Sequence, residues 1–393
     1  MRLLHGRHLG YCTNVHAAAT WPELRQTLDG PVCAVRNRVL TPEKPFGLGL
    51  WFSADVANAL SVPGALDDLK AWLKETNSYV FTLNGFPYGK FHGEAVKENV
   101  YRPDWTTRER LDHTIRLFDL LAALQPKDTP VGTVSTLPGS FKGFGLDSSA
   151  EEQIFRHLAE CAIHLDQLRD RYGRNFILGL EPEPLGTFET TLETWLFFKK
   201  FLVRPDTPRC AREVIGVTYD ACHLAVEFED ARTGLEHFRD AGIPLAKIHL
   251  SSALRLKPTN AALFALQHFA EPVYLHQVIA RNADGELHRW QDLPEALAWA
   301  ESVSETNRGV EWRVHFHVPL HAAPTPPLYD TRAHLSGVFD FLARDSASCP
   351  HLEMETYTWA VLPEALRTAQ VEEQIAAEYA WTLAELRKRK LAE

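Results

Sequence analysis

The sequence predicts an α/β protein, a TIM (β/α)8 barrel with aliphatic strand faces turned outward to helices and a polar face turned inward. Three observations point there. Strand-like and helix-like stretches alternate at the spacing of βα units, which favours a parallel sheet with right-handed crossovers. Four strand-like stretches place a carboxylate or imidazole opposite their aliphatic residues, near their C-terminal ends. The 393 residues also accommodate one barrel of about 250 residues with insertions.

The four stretches carry the argument because side chains alternate along a strand. In Ile215 to His223, Val217 and Tyr219 share one face and Gly216, Thr218 and Asp220 the other. In Phe176 to Glu181, Leu178 and Leu180 oppose Gly179 and Glu181. In Ala246 to Leu250, Ile248 and Leu250 oppose Lys247 and His249. In Leu352 to Thr356, Leu352 and Met354 oppose Glu353 and Glu355. A parallel barrel would gather Glu181, Asp220, His249 and Glu355 at one mouth.

Taken in order, Leu9 to His16 reads as the first strand, and Trp21 to Arg36 as its helix with Thr20 as N-cap. Phe46 to Ser53 is the second strand, with Gly47, Gly49 and Trp51 inward. Ser53 caps the helix that follows, and Ala65 to Glu75 continues after Pro63–Gly64. Tyr79 to Asn84 runs into a turn-rich loop, Gly85 to Gly89, suited to a pocket wall. Helix Arg108 to Leu124 leads to strand Val131 to Leu137, and Ser149 caps a long helix to Tyr172. Helices Glu189 to Leu202 and Thr233 to Ala241 separate the Glu181, Asp220 and His249 strands.

Beyond Ser251 the rhythm breaks, and an insertion is expected around residues 254–310 of a single barrel spanning 1–393. Val273 to His288 reads as a hairpin with Asn282–Ala283–Asp284–Gly285 at its tip. Helix Leu293 to Val303 precedes Trp312 to Leu320, where Val314, Phe316 and Val318 oppose His315 and His317. Helix Thr331 to Ala343 returns to the Glu355 strand, and Val371 to Lys390 closes the chain. Nine candidate strands compete for eight places, so one of them, the first or the His315 stretch foremost, lies outside a regular barrel or makes it irregular.

A formal charge of −10 argues against nucleic acid, which calls for a basic face. No apolar run approaches the roughly 20 residues of a membrane span, and the N-terminus lacks a signal-peptide core. A cytoplasmic protein acting on a small molecule is expected. The six cysteines form no CxxC pair and read as reduced thiols.

Two or three carboxylates with one or two imidazoles suit a divalent ion such as Mn, Mg, Co or Zn. The expected metal ligands are Glu181, Asp220, His249 and Glu355; the other reading makes the acids ordinary strand-end residues held by backbone donors or by Arg and Lys. His223 is a fifth ligand, a hydrogen-bond partner that orients a ligand, or a proton carrier. Glu183 and Glu353 share the faces of Glu181 and Glu355. Glu183 is a candidate general base, and one of the two can instead pair with Lys247. His315 and His317 can bind a second metal or an anionic group, or serve the fold. Asn14, Asn84 and Trp51 end inward faces of early strands and are candidate substrate contacts, with packing or loop capping as the alternative. His276 reads as a lid or interface residue.

With these residues placed, the chain resembles the xylose isomerase-like TIM barrels, whose members hold a divalent metal on a Glu, an Asp with a His three residues on, a His and a Glu. Leu180–Glu181–Pro182, Tyr219 to His223, Ile248–His249–Leu250 and Glu355–Thr356–Tyr357 match that order. A fuller set of phrases resembles the metabolite traffic protein EboE family: Gly10 to Asn14, Asn84 to Gly89, Ser135 to Phe141, Leu180 to Pro184, Val314 to Pro319 and Glu355 to Trp359. That resemblance implies a barrel enzyme architecture and a secondary-metabolite context.

Three functions are open on the sequence. In the first, an isomerase or epimerase uses Glu181 and Glu355 as the acid/base pair, with His223 or Glu183 assisting, on a polyhydroxylated or carbonyl-bearing molecule. In the second, a metal-dependent hydrolase cleaves a phosphoester, although the acidic balance disfavours DNA. The third is a binding or traffic protein that keeps the mouth without turnover.

Overall fold

The computed structural model describes residues 1–93 and 95–393. Its strands, in chain order, are β1 (His8–Tyr11), β2 (Phe46–Trp51), β3 (Ser78–Asn84), β4 (Val131–Thr136), β5 (Asn175–Leu180), β6 (Ile215–Asp220), β7 (Leu245–Leu250), β8 (Leu254–Leu256), β9 (Val278–Arg281), β10 (Leu287–Trp290), β11 (Glu311–Val314), β12 (Leu328–Asp330) and β13 (His351–Met354). Eight of them form one parallel sheet in the order β1-β13-β7-β6-β5-β4-β3-β2, and a Cys12–Gly49 bridge closes the ring between β1 and β2. The other five form an antiparallel sheet, β10-β9-β11-β8-β12.

The alternation read from the sequence is met. Leu178, Leu180, Val217, Tyr219, Ile248, Leu250, Leu352 and Met354 are buried in the large core outside the barrel wall. Tyr219 reaches out to His334 on helix Arg332–Arg344 (2.9 Å). Register places Asp220 beside His249 and His249 beside Glu353. The barrel interior below the mouth is polar and satisfied: Thr133 bonds His351 (2.7 Å) and Thr82 (2.8 Å), and Lys247 meets Glu353 (2.5 Å).

Several expected boundaries move for local reasons. The first strand ends at Tyr11, because Thr13 enters a short turn and its hydroxyl accepts the Trp51 amide (2.8 Å). The first helix runs on to Val39 through a widened turn, Leu28–Val32, that accommodates Pro31, a residue without an N–H to give the ladder. Asp147, not Ser149, caps the long helix Ser148–Tyr172 by accepting from Ala150. His223 lies in helix Ala221–Val226, which Asp220 caps.

Of the nine candidate strands, the His315 stretch is the one outside the barrel. Only Glu311–Val314 is strand, paired with β8 and β9; the chain then turns, with the Phe316 amide on the Val314 carbonyl (2.8 Å). The expected hairpin is β9 against β10, its tip closed by the Asn282 amide on Glu286. The strands β8 and β12 escaped notice because three residues carry too little alternation to read. This second sheet has its own core, in which Trp290 and Trp312 pack 5.2 Å apart. No helix among the described residues is long and apolar enough to cross a membrane.

Candidate metal centre

Four strand ends build the site. Glu181 follows β5 directly, its amide held by the Thr136 carbonyl (2.9 Å). Asp220 ends β6. Its Oδ1 accepts from the His223 amide (3.0 Å) and the Ser251 hydroxyl (2.7 Å), which turns Oδ2 away, buried and without a partner. His249 is on β7 and fully buried; Glu355 follows β13. Nδ1 of His249 lies 2.7 Å from Glu355 Oε2, 3.0 Å from Glu181 Oε1 and 3.5 Å from Asp220 Oδ2.

One imidazole nitrogen has a single proton or a single lone pair to offer, so His249 cannot satisfy three carboxylates. The four donor atoms, three oxygens and one nitrogen, lie within 4.8 Å of one another. That donor set, together with the orphaned Asp220 oxygen, fits a divalent cation. The electrostatics agree. Burial, reinforced by Glu355 and Asp220, pushes Glu181 up to about 7 against the pull of His249. Burial works against a charged His249, yet Glu355 and Glu181 outweigh it and raise its basicity. Burial would also raise Asp220, but His223 and the neighbouring imidazoles carry it well below its usual range. A cation bound by these four side chains would displace protons from the cluster.

Glu353 sets the tautomer. Its Oε2 is 3.2 Å from His249 Nε2 and 2.5 Å from Lys247 Nζ, and this lysine outweighs burial to hold it down to about 2. With a carboxylate on Nε2–H, loss of the Nδ1 proton would free that lone pair for a cation, the usual arrangement behind a ligating histidine. Of the two acids considered for pairing with Lys247, it is Glu353 that does so.

A cavity opens above this floor. Glu181, Glu183, Glu355, Asn14, Asn84, His223 and His315 line it; Asp220 and His249 do not, and so close the centre from beneath. Asn14 (2.8 Å) and Asn84 (3.1 Å) both donate to Glu355 Oε1, leaving Oε2 for His249. Trp51 stands behind the wall, its indole N–H spent on the Pro87 carbonyl (3.0 Å). Burial raises Glu183 well above its usual range, and its Oε2 has no partner. His276 is buried, bonded to Glu271 and to the His315 carbonyl, so it braces the site from inside rather than forming a lid.

Three imidazoles converge beside the acids. His223 directs Nδ1 to the Pro182 carbonyl (3.0 Å), His315 to Gln277 Oε1 (2.6 Å) and His317 to the Glu355 carbonyl (2.8 Å). Each therefore turns Nε2 inward, and those of His315 and His317 face each other at 3.3 Å. Burial, with His223 and His317 alongside, keeps His315 well below the usual imidazole range. The triplets Asp220, His223, His317 and Glu183, His223, His315 each bring three donor atoms within 4.8 Å. Pattern reading missed Ser251, Gln277 and the aromatic walls. A serine or glutamine beside a site has no spacing signature, whereas Glu353 was legible as Glu355's neighbour on one face.

Fold and floor together define a (β/α)8 barrel with a buried cluster of possible metal ligands at the C-terminal ends of its strands. No family model and no curated protein matches the sequence. Among solved structures the chain is similar to a xylose isomerase-like TIM barrel protein from Mycobacterium smegmatis in complex with magnesium: 10% identity, 99% of each chain covered, TM-score 0.53. It is similar also to a xylose isomerase domain protein from Alicyclobacillus acidocaldarius subsp. acidocaldarius: 11% identity, 98% of this chain and 100% of that one, TM-score 0.51. At such identity the likeness is one of fold, a (β/α)8 barrel with flanking helices that matches those of xylose isomerase-like TIM barrel proteins.

Proposed function

We propose that the protein is a divalent-metal-dependent isomerase or epimerase of a small molecule bearing a carbonyl beside a hydroxyl. The observation that carries this reading is the division of labour in the cluster. Asp220 and His249 face only the centre, while Glu181 and Glu355 face both the centre and the cavity. Mn, Mg, Co or Zn, when bound by these four, supplies positive charge against the negative charge that develops on the substrate oxygens.

Glu181 takes the proton from the hydroxyl-bearing carbon beside the carbonyl, and Glu355 returns one, to the opposite face of that carbon in epimerisation or to the former carbonyl carbon in isomerisation, where a proton also passes from the hydroxyl to the carbonyl oxygen. Asn14 and Asn84 hold Glu355 in place for this. His223 and Glu183 are positioned to relay protons at the cavity edge, and His315 to meet a substrate oxygen. The EboE-like phrases support a metabolite-traffic setting. Glu181→Gln and Glu355→Gln should each abolish deuterium uptake from D2O at the substrate carbon, read by NMR with hydroxyacetone as probe. Uptake retained in either variant removes that residue from the acid/base role.

A second reading, phosphoester hydrolysis on a multinuclear centre, is favoured by the inward Nε2 atoms of His223, His315 and His317. Elemental analysis of the purified protein separates the two: one ion per chain supports the isomerase reading, two or three the hydrolase.

A further inference from the structure

The cavity's floor and walls differ in kind. Phe91 comes from the loop after β3, Tyr274 from the segment before β9, and Tyr357 from the turn after β13. Their rings meet pairwise at 5.1–5.3 Å and form a separate apolar cluster over the acids. Of the two hydroxyls in this wall, that of Tyr274 is spent within the protein. Tyr274 gives its hydroxyl to His92 (2.5 Å), and Tyr101 lies 3.5 Å from the Pro184 carbonyl. Phe91, Tyr274 and Tyr357 bring ring surface to the cavity lining there.

Charge is as selective. Lys97 is the one cation lining the cavity among the described residues. Its ammonium has three protons and three acceptors: Asp292 (2.7 Å), the Tyr274 carbonyl (2.7 Å) and the Glu271 carbonyl (3.3 Å). Phosphate recognition calls for free Arg, Lys or backbone donors. Here a phosphate would meet an engaged lysine above a floor of Glu181, Glu183 and Glu355. A polyol hydroxylated on every carbon would set several hydroxyls against ring faces that cannot bond them.

We propose that the substrate is a neutral hydroxy-carbonyl compound whose oxygenated end meets the acids and whose aromatic or hydrocarbon body lodges against Phe91, Tyr274 and Tyr357. This rests on the isomerase or epimerase reading and narrows it, excluding sugar phosphates.

Three probes share one oxygenated end and differ in body: hydroxyacetone, 2-hydroxyacetophenone and dihydroxyacetone phosphate. Calorimetry on the Mn-loaded full chain should show 2-hydroxyacetophenone binding at least 10-fold tighter than hydroxyacetone, and dihydroxyacetone phosphate no tighter than hydroxyacetone. Phe91→Ala should bring the first two affinities within about threefold of each other, as expected when a ring contact is lost. The phosphate binding tightest, the phenyl compound gaining nothing over hydroxyacetone, or an affinity ratio unmoved by Phe91→Ala would each overturn the proposal. Deuterium uptake, read separately, tests the underlying chemistry: the predicted binding order without uptake in any probe overturns the isomerase reading and leaves the walls as described.

Discussion

His249 Nδ1 has three carboxylate oxygens within 3.5 Å, and its freedom to serve them rests on one acid behind it. Glu353 fixes the ring through Nε2 and is itself fixed by Lys247, both fully buried. Glu353→Gln should therefore act twice. Loss of the orienting carboxylate should weaken metal binding about 10- to 100-fold, and an unpaired buried Lys247 should cost about 3–5 kcal/mol. The two effects separate in the double variant Glu353→Gln with Lys247→Gln, which should recover most of the melting temperature while calorimetric metal affinity stays low. If affinity recovers too, Glu353 does not set the tautomer.

Strand β2 is shaped for that acid. A Cβ on Gly49 would sit 1.7 Å from Glu353 Oε1 and 2.6 Å from its Cδ. Gly49→Ala must push the carboxylate off His249, so it should destabilise by about 1–3 kcal/mol and weaken metal binding in parallel; urea unfolding and calorimetry read the pair. The closing helix, Val371–Lys388, carries a pH signature of its own. Burial raises Glu378 from the usual 4.5 to about 8, although the Leu320 amide bonds it at 3.1 Å. The folded state thus holds a proton that the unfolded chain loses between pH 4.5 and 8, and stability falls as pH rises through that window. Glu378→Gln keeps an acceptor for Leu320 and removes the charge. Its melting temperature should match the parent near pH 4.5 and exceed it at pH 8, where ionisation costs on the order of 3–5 kcal/mol, or about 5 °C.

At the scale of the molecule, the centre ties β5, β6, β7 and β13 together, and the second sheet supplies part of its roof. The Val273 carbonyl takes the Val96 amide (2.8 Å), and Lys97 reaches Asp292, so the β3 loop is bound to the inserted segment. A cation that binds the folded chain alone should raise its melting point. At a thousandfold excess over Kd the gain is about 4 kcal/mol, or about 5 °C, reversed by EDTA and absent from Asp220→Asn. A melting curve indifferent to Mn and EDTA would mean that the four side chains hold no ion. The formal charge of −10 belongs to the same scale. It accords with a small-molecule substrate, as does an aromatic roof assembled from three distant segments.

The sequence by itself determined which side chains face the mouth. Period-two alternation is local, so Glu181, Asp220, His249 and Glu355 could be assigned to inner faces without knowing any neighbour, and helix spacing was enough to make the sheet parallel. Only the tertiary structure decided what those side chains meet. The Lys247–Glu353–His249 chain depends on strand register, the inward Nε2 of His315 on a turn at Phe316, and the aromatic wall on residues up to 266 positions apart, Phe91 to Tyr357. Such contacts are set by the closure of the barrel and the docking of the second sheet, and long-range geometry of that kind leaves no period in the chain for a reader to find.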